Sequence, residues 1–184
     1  DIVSSYKIGQ AVKDKATVPI YYEGRLVPLH LADKFVDSKL DEILGEIVVD
    51  EKVKARKEWA VLEEVVGAPS RIEQIAKDVV SHFNNRPIEG KAMVVTMSRS
   101  IAVAMYNAIK NIEGSPECAV IISGMDDFPG QIQSEHDVKK LEKRFKKAND
   151  SLRLVIVCDM WLTGFDVPNM HTMYLDKPLK NHGL

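Results

Sequence analysis

The chain has 184 residues, of which 45% are hydrophobic and 28% are charged, and its formal net charge is −2. These values are typical of a globular protein with one domain, or one domain and an extra subdomain, and the small net charge means that any nucleic-acid-binding surface has to be local. We find no signal peptide and no apolar run of about 20 residues, the length that a membrane span needs, so we expect no membrane partner.

Residues 1–66 are predicted to form a connecting segment followed by a charged helical excursion. Short β-like pieces, chiefly residues 16–22, lead to a turn-like triplet at 23–25. Ten acidic and six basic residues between Asp33 and Glu64 indicate a largely solvated helical zone. Because the sequence starts without methionine and stops just after a strand-like segment, we expect it to be a piece of a longer polypeptide.

From residue 67 the pattern alternates between helix and strand. Ser70 to Glu73 has the form of a capping box, and the amphipathic helix after it should end at residues 84–87. Six further elements are predicted: strand 92–97, helix 101–109, strand 119–123, helix 135–148, strand 152–157 and strand 172–175. This alternation predicts an α/β fold in which helices cover both faces of a parallel sheet.

The two cysteines, Cys118 and Cys158, lie within apolar runs, which predicts buried, reduced thiols. There is no CxxC pair and no His/Cys cluster, so we predict no metal site. The phosphate-binding pattern GxxxxGK[ST] does not occur, and residues 41–44 only superficially resemble a magnesium-binding acidic box because no apolar strand precedes them. We therefore predict no catalytic residue in this chain.

The loop between the strand at 92–97 and the next helix carries Thr96, Ser98 and Arg99. Hydroxyls and free amides at a helix N-terminus bind phosphate oxygens, and an arginine adds charge and a bidentate fork. Simple capping of the helix by Ser98 or Ser100 explains the same residues, and the local sequence alone favours this capping interpretation.

The helix around residues 138–147 has six basic residues and one acidic residue between Lys139 and Lys147. We predict a buried stripe on this helix, and its lysines should project outward on the opposite side, where they could bind a phosphate backbone or only increase solubility. The candidate basic patch is Lys139, Lys143 and Lys147, and the predicted stripe is Val138, Leu141, Phe145 and Ala148.

The segment at 157–168 follows a strongly apolar strand. Gly164 permits a tight turn, and Asp166 could orient water, bind a hydroxyl or cap the turn. Trp161 could stack on a base or sugar, or pack inside the protein.

Residues 158–168 resemble motif V of superfamily 2 helicases, whose DEAD-box form reads ATDVAARGIDVP. The amino-acid sequence of residues 159–180 is similar to that of the R (restriction) subunit of type I restriction-modification enzymes, and so are the sequences of residues 18–26, 67–83 and 91–109. The positions that match motif V are Asp159, Gly164, Asp166, Val167 and Pro168.

The resemblance implies a cytoplasmic prokaryotic protein in which residues 67–184 are the second RecA-like lobe of an ATP-dependent double-stranded DNA translocase coupled to an endonuclease. ATP and Mg²⁺ would be bound mainly outside this chain. The implied partners are double-stranded DNA, the first RecA-like lobe, the nuclease domain, and the methyltransferase and specificity subunits. The implied DNA contacts are Thr96, Ser98, Arg99, Asp159 and Trp161, and the implied ATP-coupling residues are Thr163, Gly164 and Asp166.

The sequence also departs from the helicase pattern. Cys158 replaces a nucleic-acid-binding threonine, Thr163 replaces an arginine, and motif VI would lie beyond Leu184. We therefore expect no ATPase or nuclease activity from the isolated chain. Two alternatives stay open: a noncatalytic RecA-like module that binds DNA or acts as a scaffold, and a stand-alone α/β enzyme that uses Asp159, Asp166 and His171.

Overall fold

The computed structural model of the chain describes residues 8–25, 27, 59–60, 62–122, 135–158, 160–162 and 165–177. The predicted site residues Asp159, Thr163 and Gly164 lie outside the described residues, as does most of the charged zone. A short helical stretch at 62–66 precedes the main domain. The elements in chain order are α1 (Ile8–Lys13), α2 (Pro69–Asn85), β1 (Lys91–Thr96), α3 (Arg99–Lys110), β2 (Glu117–Ile121), α4 (Glu135–Lys146), β3 (Leu152–Val157) and β4 (Met170–Asp176).

The four strands form one parallel sheet in the order β2-β3-β1-β4. Strands β1 and β3 occupy its centre and consist almost entirely of buried residues, as expected for a sheet that is covered on both faces. The observed architecture confirms the α/β prediction and is RecA-like. Within the described part of the chain, no helix is long and apolar enough to cross a membrane.

One face of the sheet packs against α2 and α3. The predicted apolar stripe of α2 is confirmed, because all six of its members are buried there: Ile72, Ile75, Ala76, Val79, Val80 and Phe83. Full burial of an aliphatic side chain contributes about 1.5–3 kcal/mol, so this face supplies much of the driving force for folding.

The other face is covered by α4 and by the segment that connects β3 to β4. Phe145 of α4 is fully buried against Met93, Val95 and Val155, and Val167 of the connecting segment joins the same cluster. This cover does not extend over β4, where Met173 and Leu175 each remain 44% exposed.

The start of α2 differs from the predicted capping box. The helix begins at Pro69, with Ala68 at the N-cap and no side-chain hydrogen bond to the cap. The fixed φ of proline suits the first helical position, so the helix starts before Ser70, and Ser70 lies inside the first turn. The predicted end is confirmed: α2 stops at Asn85, and Arg86, which precedes a proline, is extended.

Two smaller predictions about burial need correction. Ala148 is exposed because α4 ends at Lys146, before the predicted stripe would reach residue 148. Cys118 and Cys158 are free thiols, as predicted, but they are only partly buried. Burial nevertheless raises the pKa of the Cys118 thiol to about 11.

Candidate functional site at the carboxyl edge of the sheet

The carboxyl ends of the parallel strands lie along one edge of the sheet, where ligands bind in open α/β folds. Thr96 ends β1 there and is fully buried. Its hydroxyl is 3.2 Å from the carbonyl oxygen of Val157, the last residue of β3, and 3.0 Å from that of Ser98. Thr96 therefore joins the ends of two neighbouring strands, and its side chain does not face solvent.

Ser98 is the N-cap of α3. Its backbone is extended, with φ of −143°, and its Oγ accepts a hydrogen bond of 3.3 Å from the amide of Ile101. The capping interpretation of Ser98 is thus confirmed. The Oγ atoms of Ser98 and Ser100 are 2.8 Å apart, and Ser100 donates a hydrogen bond of 3.0 Å to the carboxylate of Glu63.

Glu63 therefore places a carboxylate at the N-terminus of α3, where the helix dipole favours negative charge. A phosphate that bound the Ser98 and Ser100 hydroxyls would have to displace this carboxylate. Arg99 lies in the first turn of the same helix and is exposed.

The described residues of the segment after β3 include Met160, Trp161, Phe165 and Val167, which pack with the cluster that contains Phe145. Trp161 has a left-handed backbone, with φ of 63°. Its ring stacks on Phe165 at a centroid distance of 4.2 Å and on Phe145 at 6.2 Å, and the Phe145 and Phe165 rings are 6.4 Å apart. The structure therefore shows Trp161 as a partly buried packing residue.

Asp166 follows this aromatic stack and is exposed. Thr96 and Ser98 bond to other groups. The structure therefore brings the β1–α3 loop to the end of β3, and among the described residues it shows no hydrogen bond between Asp166 and Thr96 or Ser98.

The predicted basic patch lies on α4 and the turn after it. Lys139, Lys143 and Lys147 are exposed, as predicted. Arg144 forms ion pairs of 2.8 Å with both Glu117 and Asp150. Lys146 is paired with Glu142 at 2.6 Å. Arg144 and Lys146 are thus engaged in ion pairs within the protein.

The hydrogen bond from Arg144 holds the pKa of Glu117 below its ordinary value. Within the described ranges, no group of three or more His, Cys, Asp or Glu side chains could hold a metal ion. His171, from the stand-alone enzyme alternative, lies at the start of β4 against Gly90, at the opposite edge from Thr96.

Sequence analysis did not single out a group of cationic residues at the amino edge of the sheet, where the strands begin. In the sequence, Arg86 belongs to a predicted helix end and Arg153 to a predicted strand. The one signal available was the arginine in the otherwise apolar strand β3, since charged residues are rarely found in a central strand without a local reason.

Two family models match parts of the chain. The model described as type I restriction enzyme subunit R domain 3 matches residues 128–184. The SWI2/SNF2 ATPase model matches residues 1–54.

Similar proteins cover the whole chain. A Methanocaldococcus jannaschii protein assigned as the MjaIXP type I restriction enzyme endonuclease subunit is 42% identical over 193 aligned positions, which cover 100% of this chain and 18% of the relative. The HindI type I restriction enzyme endonuclease subunit of Haemophilus influenzae is 38% identical, covering 99% of this chain and 18% of the relative. The chain thus spans less than a fifth of the length of these relatives. From end to end, it is a homologue of a segment of the type I restriction enzyme endonuclease (R) subunits.

Proposed function

We propose that this chain is part of the motor of a type I restriction enzyme R subunit. Residues 67–184 would form the second RecA-like lobe of an ATP-dependent double-stranded DNA translocase that is coupled to endonuclease cleavage, and residues 1–66 would connect it to the first lobe. The similarity along the whole chain and the four-stranded parallel sheet support this assignment.

The observation that carries the proposal is the link between Thr96 and Val157. It joins the loop that resembles motif IV to the start of the segment that resembles motif V, through a buried hydrogen bond of 3.2 Å. Because the bond is shielded from water, the two strand ends should move together when one of them is displaced. A motor lobe needs such coupling between its DNA-binding and nucleotide-facing loops.

We assign the roles accordingly. Arg99 and Ser98 contact the DNA backbone, whereas Thr96 acts by positioning their loop. Trp161 contributes through the aromatic stack that holds the next loop in place. Asp159 contacts DNA. Thr163, Gly164 and Asp166 couple DNA binding to ATP hydrolysis.

ATP and Mg²⁺ would be held mainly by residues outside this chain, and the isolated chain would hydrolyse neither ATP nor DNA. In the assembled enzyme, the partners of this lobe would be DNA, the first RecA-like lobe, the nuclease domain, and the methyltransferase and specificity subunits. The choice of DNA sequence would belong to the specificity subunit.

The test places Asp166→Ala in the full-length R subunit, assembled with its partner subunits. We expect loss of both DNA-stimulated ATP hydrolysis and translocation, with an unchanged thermal unfolding midpoint. Glu113→Gln is the matched control, because Glu113 is an exposed carboxylate in the turn between α3 and β2, at the other edge of the sheet.

If the Asp166→Ala enzyme hydrolysed ATP and translocated at wild-type rates, Asp166 would be only a turn residue, and its proposed coupling role would be wrong. If the wild-type enzyme itself neither hydrolysed ATP nor translocated, a noncatalytic DNA-binding or scaffolding module would be the better account of this lobe.

A further inference from the structure

Two arginines meet at the amino edge of the sheet. Both guanidinium groups donate to the carbonyl oxygen of Gly90: Arg86 through Nη2, and Arg153 through Nη2 at 3.1 Å. Both also lie over the ring of Phe83, with Cζ-to-centroid distances of 4.0 Å for Arg86 and 5.9 Å for Arg153. Arg86 donates a further bond of 2.8 Å to the hydroxyl of Thr172.

Neither arginine has a carboxylate partner in the described part of the chain. The groups that they contact are a carbonyl, a hydroxyl and an aromatic ring, and none of these carries a full negative charge. Burial first, and the nearby charge of Arg153 to a smaller extent, lower the pKa of Arg86 against an opposing effect of Tyr174. Two like charges are thus held close together at a partly buried site, an arrangement that an anion would stabilise.

The backbone holds this pair in place. Gly90 has φ of +148°, and the amide of Lys91 donates a bond of 2.7 Å to the carbonyl of Asn169. These features fix the orientation of the Gly90 carbonyl toward both arginines. The pair is therefore built by three separate parts of the chain: the end of α2, the start of β1 and the start of β3.

More positive charge lies along the same edge. Lys91 is buried beneath the surface, where its ammonium donates a bond of 3.0 Å to the carbonyl of Arg144, near the end of α4. That end of α4 carries exposed Lys143 and is followed by exposed Lys147. Of the acidic residues at this edge, Glu117 and Asp150 are paired with Arg144, whereas Glu89, next to Gly90 in the chain, is exposed. A row of cations suits a repeating anion better than a single carboxylate.

We propose that Arg86 and Arg153 form a binding site for phosphodiester groups of nucleic acid at the amino edge of the sheet. Arg153 uses one terminal nitrogen for the Gly90 carbonyl, and Arg86 uses one for Gly90 and the other for Thr172. Because a guanidinium has five N–H donors, each arginine still has donors left for a phosphate oxygen. This site is separate from the β1–α3 loop, and it rests on the proposed function only for the choice of DNA as the source of the phosphates.

The test measures binding of a short fluorescein-labelled DNA duplex to the 184-residue chain by fluorescence anisotropy, at several salt concentrations. Arg153→Gln is the main variant because Arg153 donates only one hydrogen bond to the residues that the structure describes, so its loss should disturb the fold least. Arg86→Gln, which removes two such bonds, is the second variant. Lys77→Gln, an exposed residue in the middle of α2, is the charge-matched control, and Arg99→Gln reports on the β1–α3 loop. Thermal unfolding shows whether each variant is folded.

We expect Arg153→Gln to weaken binding by about threefold to tenfold and to reduce the slope of log K against log salt by about 0.9, the value for one lost phosphate contact. Lys77→Gln should bind like the wild type. If Arg153→Gln binds with unchanged affinity and slope, or if the wild-type chain does not bind the duplex at low salt, the proposal is wrong. If Arg153→Gln binds like the wild type but Arg99→Gln loses binding, the arginine site is wrong and the proposed function is still supported. An effect of Arg153→Gln with none from Arg99→Gln would support the arginine site and contradict the loop contact.

Discussion

Gly90 has a conformation and a neighbourhood that exclude any side chain. A Cβ atom at this position would lie 2.0 Å from Cδ2 of His171 and 2.9 Å from the carbonyl oxygen of Asn169, and its φ of +148° is strained for every L-residue. Part of the clash involves backbone, so a change of the His171 rotamer could not relieve it completely. The residue also presents its carbonyl to Arg86 and Arg153, so its geometry affects both stability and the arginine pair.

We expect Gly90→Ala to lower the free energy of unfolding by about 2–4 kcal/mol, because backbone strain and a steric clash add together. Urea unfolding monitored by circular dichroism would measure the change. Gly24→Ala is the control: a Cβ at Gly24 meets nothing within 4 Å, so this variant should stay within about 0.5 kcal/mol of the wild type. Equal stabilities for the two variants would show that the backbone at Gly90 adapts freely.

At the scale of elements, α2 and β4 are joined by a largely buried ion pair. Arg71 binds Asp176 with both ends of its fork, at 2.5 and 3.2 Å, and also donates to the carbonyl of Val66 at 2.9 Å. The two side chains are only 16% and 10% exposed. The pair joins the start of α2 to the carboxyl end of β4.

We expect Asp176→Asn to lower the free energy of unfolding by about 3 kcal/mol, because it leaves the Arg71 charge without a compensating carboxylate. The matched control is Asp78→Asn. Asp78 pairs with Arg25 at 2.8 Å, but these side chains are 42% and 36% exposed, so its loss should cost less than about 1 kcal/mol. Comparable losses in the two variants would contradict the argument from burial.

The elements also show which features local sequence can predict. The predicted bounds of β3 agree with the observed strand because an apolar run between a turn and a polar segment leaves little freedom. The capping box failed because Ser70 and Pro69 each mark a helix start, and the proline determined it. The left-handed backbone of Trp161 carried no local signal, since tryptophan has no preference for that conformation.

At the scale of the whole molecule, protection from solvent is concentrated in the two central strands. β1 pairs with β3 on one side and β4 on the other, and β3 pairs with both β1 and β2. By contrast, β4 alternates between exposed and partly buried residues. The alternation of helices and strands predicted the parallel sheet, but not the meeting of Arg86 with Arg153, which depends on a strand pairing that no local pattern specifies.

We expect hydrogen–deuterium exchange of the folded chain to be slowest in β1 and β3 and faster in β4, because buried central ladders open only on global unfolding. Mass spectrometry of peptic peptides would measure the order. Exchange in β4 as slow as in β1 would show that the exposed side of this strand is covered in solution.

The strand order also constrains the sequence of events as the protein is synthesised. β1 and β2 both pair with β3 and not with each other, and β3 emerges after them, separated from β2 by α4. Among the described strands, β1 pairs only with β3 and β4, which both follow it in the chain. Until residues 152–157 leave the ribosome, the edges and side chains of β1 therefore have to be kept apart from other chains. The sheet therefore cannot form until β3 has been synthesised. A pause in translation before residue 152 would prolong the interval in which the nascent chain is most prone to aggregate.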